Sequence, residues 1–229
     1  MKTNSIVLGL LVAASAAFAT PAYQAPAYPV PVPGSYALPI IKRAADGALL
    51  DANGDPASLA ALTRGRITVL SFIYTQCASP NACPSATGVL WQLNRESAAD
   101  PALAAALRLV SMSFDPVNDT PDRMAAYSAL VAEDPDAAPW HFVTTRSDRE
   151  LRPILAAYGQ AVSKKANPRD PTGPLNHTLR VFLVDAAGNI RNIYSSGTLD
   201  VRLILADVRT LMLEAATKPS VATLPSGGN

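Results

Sequence analysis

Two cysteines, Cys77 and Cys83, and two histidines, His141 and His177, are the residues of this 229-residue chain best suited to soft-metal or thiol chemistry. The cysteines sit in Ser71-Phe72-Ile73-Tyr74-Thr75-Gln76-Cys77-Ala78-Ser79-Pro80-Asn81-Ala82-Cys83-Pro84, where an apolar run gives way to a helical pattern. Pro84 suits the first turn of a helix, so Cys83 falls at the helix start, close to unpaired backbone N–H groups and the positive dipole end. Such a place lowers a thiol pKa and favours the thiolate, the form that attacks disulfides and binds metals. Two thiolates are soft ligands suited to Cu(I). His177 lies in Asn176-His177-Thr178, just ahead of the apolar run from Leu179. From a strand entrance it can reach a neighbouring loop, and imidazole suits copper in either oxidation state. His141, which follows Trp140 in a short strand pattern, reads as structural.

Spacing alone leaves a structural disulfide open, because a five-residue gap can close if the loop folds back. The stabilisation from such a cross-link grows with loop length, and this loop is short, which tilts the pair toward function. Other motifs fall away. Asp51-Ala52-Asn53-Gly54-Asp55 begins like a calcium loop, but Pro56 stands where Gly belongs and Leu62 where a bidentate Glu belongs. Asn118-Asp119-Thr120 and Asn176-His177-Thr178 fit the glycosylation pattern, which is common by chance. Asp115 and Asp119 flank a turn and read as caps. No Ser–His–Asp order, phosphate loop or paired-carboxylate arrangement stands out.

The elements that must position these residues alternate strand with helix. Ile67–Tyr74 reads as a buried strand, and residues 84–97 as a helix with Val89, Leu90 and Leu93 on one stripe. Leu107–Phe114 is a second buried strand, Thr120-Pro121 opens a helix, and Trp140–Thr145 is a short strand. Ser147–Tyr158 starts with a capping-box pattern, Ser147 followed by Glu150. Thr178–Asp185 and Asn189–Ser195 flank Ala187-Gly188 as a hairpin, and Asp200 to about Ala215 forms an amphipathic helix. A short helix is expected over Ala57–Thr63. This order predicts an α/β domain: a central mixed sheet with helices on both faces and a β-hairpin.

Domain organisation follows from composition. Residues 1–19 have the form of a signal peptide, with Ala17-Phe18-Ala19 as the cleavage site, and their apolar run is shorter than the roughly 20 residues a membrane span needs. The reading is an exported, periplasmic protein, soluble and without a membrane span after cleavage. Residues 20–39 are rich in Pro and read as an extended linker, 40–217 as the folded domain, and 218–229 as a flexible tail. A net charge of +1 with no basic run argues against nucleic acid or a membrane surface as partner. A hydrophobic fraction of 49% permits a core that needs no disulfide scaffold.

Together these segments resemble the SCO/SenC family of thioredoxin-like copper chaperones over roughly residues 36 to 213. The resemblance is carried by Phe72-Ile73-Tyr74-Thr75-Gln76-Cys77, Cys83-Pro84, and Ser113-Phe114-Asp115-Pro116-Val117-Asn118-Asp119-Thr120-Pro121. Trp140-His141-Phe142 and the run from His177 to Gly188 complete it. It implies a thioredoxin-like (redoxin) fold and a copper-binding metallochaperone rather than an enzyme. Such a protein delivers copper to the dinuclear site of cytochrome c oxidase or a related exported copper protein, so its partner is a copper-receiving protein such as an oxidase subunit. It implies Cys77, Cys83 and His177 as ligands of Cu(I) and also Cu(II), with Cys77 and Cys83 as the redox disulfide of an oxidised state. The alternative is a metal-free thiol–disulfide oxidoreductase. The family places three residues between its cysteines, with Pro after the first; here there are five, and Ala78 follows Cys77. On a regular helix a separation of six leaves two side chains about 120° apart. The Cys77 loop must therefore bulge, with Pro80 shaping it, for both sulfurs to meet one ion.

Overall fold

The computed structural model describes residues 28–131 and 134–217. The expected signal peptide, residues 20–27 of the Pro-rich segment and the tail at 218–229 lie outside the described residues. The chain runs through three short strands, β1 (Lys42–Arg43), β2 (Ala48–Asp51) and β3 (Pro56–Ser58), and the single-turn helix α1 (Leu59–Leu62). Then come β4 (Ile67–Ile73), α2 (Cys83–Ala98), α3 (Pro101–Ala106), β5 (Leu107–Ser113), α4 (Pro121–Ser128) and β6 (Trp140–Thr144). Helix α5 (Asp148–Tyr158), a small hairpin of β7 (Val162–Lys164) and β8 (Leu175–His177), strands β9 (Val181–Val184) and β10 (Asn189–Tyr194), and α6 (Val201–Thr217) complete it.

Eight strands form one sheet in the order β1-β10-β9-β4-β5-β6-β2-β3. β4 pairs parallel with β5 and antiparallel with β9, so the sheet is mixed as expected. All seven residues of β4 are buried, because each face of the sheet is covered. Ile67 and Val69 face a core that includes Val89, Leu90 and Leu93 of α2 and Ile204, Val208 and Leu211 of α6. Leu70 and Phe72 face the other, with Met124 of α4 and Leu151, Ile154 and Tyr158 of α5. The period of two in β4 thus divides one apolar run between two layers. No described helix is long and apolar enough to cross a membrane.

Local chemistry sets the helix ends. The Thr120 hydroxyl accepts from the Arg123 N–H ahead of α4, and the Ser147 hydroxyl accepts from the Glu150 N–H ahead of α5. The Glu150 carboxylate returns to the Arg146 N–H, one residue upstream of the reciprocal capping-box position. Gly159 ends α5 at φ +63, a left-handed conformation that favours glycine. Helix α3 was not read from the sequence, although Asp100 caps it by accepting from the Leu103 N–H at 3.1 Å and Pro101 opens it. The helix expected over Ala57–Thr63 shrinks to α1 because Pro56–Ser58 pair with β2.

One expected boundary moves. The Pro-rich segment was read as a linker to residue 39, but its described part is fastened to α6 and β10. The Tyr36 hydroxyl donates to the Asp207 carboxylate at 2.5 Å, the Gly34 N–H donates to the Thr210 hydroxyl at 3.0 Å, and Leu38 is buried in the core. Buried Arg191 holds this edge together: it pairs with Asp185 at 2.9 Å and Glu214 at 2.7 Å, and donates to the Leu38 carbonyl. Replacing Arg191 by Met leaves Asp185 and the Leu38 carbonyl short of a cation inside the protein. The expected loss is about 3 kcal/mol of unfolding free energy, read by urea denaturation, with faster amide exchange over residues 34–38. An unchanged midpoint would remove this residue from the account.

Candidate metal centre

The parallel register of β4 and β5 sets Ile73 opposite Ser113, so the loops that follow both strands leave the sheet at the same end. Asp119 ties them together. Its buried carboxylate accepts from the Thr75 N–H at 3.1 Å, the Thr75 hydroxyl at 2.5 Å and the Ser113 hydroxyl at 2.6 Å. Asp119 is therefore a brace under the cysteine loop, while Thr120 caps α4. Within that loop the Cys77 N–H donates to the Tyr74 carbonyl and the Ala82 N–H to the Ser79 carbonyl, closing two successive turns. Pro80 takes the second position of the latter turn, where its fixed φ fits. These turns are the bulge that the spacing demands. Cys77 lies on the first turn, ahead of the helix, and Cys83 is the first residue of α2.

His177 ends β8, a short strand just ahead of β9, and among the described residues β7 and β8 pair only with each other. Strands of three residues are too short to show a period, so no pattern in the sequence marks them. The His177 Nε2 lies 3.4 Å from the Cys83 Sγ and 3.8 Å from the Cys77 Sγ. All three ligand atoms fall within 4.8 Å of one another. A three-coordinate ion with bonds of about 2.3 Å to sulfur and about 2.0 Å to nitrogen would set nitrogen and sulfur about 3.8 Å apart. The observed spacing fits it. The ring of His177 is held by Tyr74, edge-on at 5.4 Å between centroids, and by Phe114 at 5.1 Å. Its Nδ1 is buried and has no hydrogen-bond partner among the described residues. Both cysteines are free thiols, Cys83 buried and Cys77 half-buried. His141 stays outside the cluster, half-buried on β6, where burial and the nearby Arg108 push its pKa down.

The electrostatics correct one expectation. The Cys77 thiol is pushed down to about 4, first by the hydrogen bond from the Cys83 thiol, then by His177 and the N–H groups of Cys83 and Ser79, which outweigh its partial burial. The Cys83 thiol is pushed up, because it donates its proton to Cys77 and is buried beside the resulting charge. Cys83 was expected to carry the thiolate as the residue at the helix start. Yet α2 has no side-chain N-cap, and the N–H of its first residue serves the Cys77 sulfur as well as its own. The helix start therefore acts on both cysteines, and the contact with Cys77 and burial outweigh it at Cys83. Burial and the Cys77 charge push Tyr74 up to about 12. Tyr74, Thr75, Phe114 and Asp119 all flank the ends of the two central strands, a position that could have flagged them in the sequence.

Comparison with known proteins matches this chain to a family model described as SCO1/SenC over residues 44–213. The "SCO1 protein homolog" of Bacillus subtilis (strain 168) is 27% identical over 143 residues, which cover 62% of this chain and 68% of that protein. The copper-bound crystal structure of ScoI from Arabidopsis thaliana has a TM-score of 0.62 at 19% identity, covering 75% of this chain and 98% of that one. A SCO1/SenC family lipoprotein from Bacillus anthracis gives a TM-score of 0.62 at 21% identity, covering 75% and 95%. Copper-bound ScoI from Bradyrhizobium japonicum gives 0.57 at 21% identity, covering 72% and 98%. These likenesses show the thioredoxin-like fold.

The unequal cysteines predict a pH-dependent order of reaction. Iodoacetamide should modify Cys77 of the reduced protein first, with a rate that is already near its plateau at pH 6 and falls only as pH approaches about 4. Because the folded state lowers this pKa from 9.0, its contribution to stability is full above that value and is lost as pH falls through about 4. Mass spectrometry of the first alkylated peptide checks the order, and prior modification of Cys83 would contradict it.

Proposed function

Because this chain belongs to the SCO1/SenC family, we propose that it is a copper metallochaperone that holds copper between Cys77, Cys83 and His177. Its cargo goes to the dinuclear copper site of cytochrome c oxidase or of a related exported copper protein, and its partner is the copper-receiving subunit. The observation that carries this reading is the convergence of two sulfurs and one imidazole nitrogen within 4.8 Å, from a turn, a helix start and a separate hairpin. Copper-bound structures of ScoI proteins support copper as the cargo. Two thiolates and one imidazole favour Cu(I), and the imidazole also accommodates Cu(II). The sequence of residues 1–19, ending in Ala17-Phe18-Ala19, supports export to the periplasm with cleavage after Ala19.

The unequal burial of the sulfurs supports a direction of transfer. Cys77 is the accessible ligand and Cys83 the buried one. A client thiolate bonds to copper while the bond from copper to the Cys77 Sγ breaks, and the oxidation state of the copper is unchanged. The departing Cys77 thiolate is received by the N–H groups of Cys83 and Ser79, so no proton has to arrive at that sulfur. Cys83 and His177 release the ion in turn to further client ligands.

One observation favours a second reading. A low-pKa, partly buried Cys77 beside a fully buried Cys83 thiol is the pairing that thiol–disulfide exchange needs. In that reaction the Cys77 thiolate attacks a client disulfide and releases one client thiolate. Cys83 then displaces the second client thiolate, leaving a Cys77–Cys83 disulfide and a client reduced by two electrons.

Titration of the reduced protein with Cu(I) against a chelating competitor separates the two readings. The metallochaperone binds about one ion through the Cys77, Cys83 and His177 cluster, binding is abolished by Cys77→Ala or Cys83→Ala, and His177→Ala weakens it about tenfold or more. A reduced wild-type protein that takes up no Cu(I) but reduces a client disulfide would replace the copper reading by the second.

A further inference from the structure

We infer that Gly173 is a positioning residue of this site: through its bare backbone, the loop between β7 and β8 sets how closely His177 approaches the two sulfurs. The consequence for copper rests on the metallochaperone reading, while the positioning itself is a property of the metal-free protein.

Among the described residues, the strand β8 that carries His177 pairs only with β7 and lies outside the main sheet, so the register of the eight-stranded sheet does not fix the imidazole. Two other attachments do. Beside β8, the Gln160 side-chain amide donates to the Thr178 carbonyl at 2.5 Å. At the far end, the Thr172 carbonyl accepts from the Ala78 N–H at 3.4 Å and from the Tyr74 hydroxyl at 3.4 Å. Ala78 stands where the family resemblance leads one to expect Pro, which would have no N–H to give.

Between these attachments the loop presses onto the turn that carries Cys77. Gly173 has φ +99, a left-handed conformation that L side chains rarely adopt, and a Cβ there would strike the Tyr74 hydroxyl and lie 2.6 Å from the Gln76 carbonyl oxygen. Tyr74 and Gln76 belong to the turn closed by the Cys77 N–H on the Tyr74 carbonyl. Backbone therefore meets backbone across the gap that separates the histidine arm from the cysteine loop, and a side chain at 173 would wedge the two apart.

The loop is built to hold that contact. The Lys165 ammonium donates to the Asp170 carboxylate at 3.0 Å and to the Thr172 hydroxyl at 2.6 Å. The same carboxylate accepts from the Thr172 N–H at 2.8 Å, the Gly173 N–H donates to the Asp170 carbonyl at 2.9 Å, and the Lys165 N–H donates to the Pro174 carbonyl at 2.9 Å. His177 lies four residues on from Gly173, at the end of β8, which starts two residues after the glycine. A shift at the loop end is delivered to the ring.

The test uses the full reduced chain and two variants. In metal-free Gly173→Ala, the NMR resonances of the His177 ring protons, displaced by the Tyr74 and Phe114 rings, should move toward their open-chain positions while the amides of β4 and β5 stay in place. Affinity for Cu(I) should fall about tenfold, and combination with His177→Ala should add no further loss. Lys165→Met loosens the loop without placing a Cβ beside Tyr74, so it should act in the same direction with a smaller shift, and it serves if the glycine variant does not fold. Unmoved ring resonances in either folded variant, or losses that multiply with His177→Ala, would overturn the inference. The ring resonances are read without metal, so a wild-type protein that binds no copper would count against the cargo alone.

Discussion

Two sulfurs from one loop and an imidazole from a distant hairpin meet in one small volume, and the parallel pairing of β4 with β5 is what makes the meeting possible. Its register brings the cysteine loop and the Phe114–Thr120 loop out side by side, and the Asp119 carboxylate fastens them through Thr75 and Ser113. Because that carboxylate is buried, leaving it unpaired would be costly, and its three hydrogen bonds leave the loop little choice of position. The sulfurs inherit that order. The imidazole arrives separately, on a hairpin outside the main sheet, steered by two aromatic rings and by the loop that touches the Cys77 turn.

The same geometry explains why two cysteines of one chain behave differently. The buried Cys83 sulfur keeps its proton and lends it to Cys77, whose charge is shared with two backbone N–H groups and with His177. One sulfur is thus presented to a client and the other is kept inside. For a carrier whose cargo must be bound and then surrendered, a graded set of ligands allows release one bond at a time.

Much of this was legible in the sequence, and the exceptions have physical causes. The buried strands carry continuous apolar runs, Thr120-Pro121 and Ser147 carry capping signals and the hairpin over β9 and β10 carries a turn signal, and all are present. The grouping of Cys77, Cys83 and His177 came from residue chemistry joined to the family resemblance, and the structure brings these three side chains together across two turns between the cysteines. Hidden from the sequence were features that depend on tertiary contact. Strands β7 and β8 are too short to show a pattern. Docking of Tyr36 depends on Asp207, 171 residues away. The preference of the charge for Cys77 over Cys83 depends on burial and on the contact between the two sulfurs, which only folding brings about.

X-ray absorption at the copper edge of the Cu(I)-loaded reduced protein bears most directly on the central claim. The account predicts two sulfur neighbours at about 2.3 Å and one nitrogen at about 2.0 Å, with the nitrogen lost in His177→Ala and the sulfurs retained. A wild-type spectrum with sulfur ligands only, or a nitrogen contribution that survives removal of His177, would contradict it.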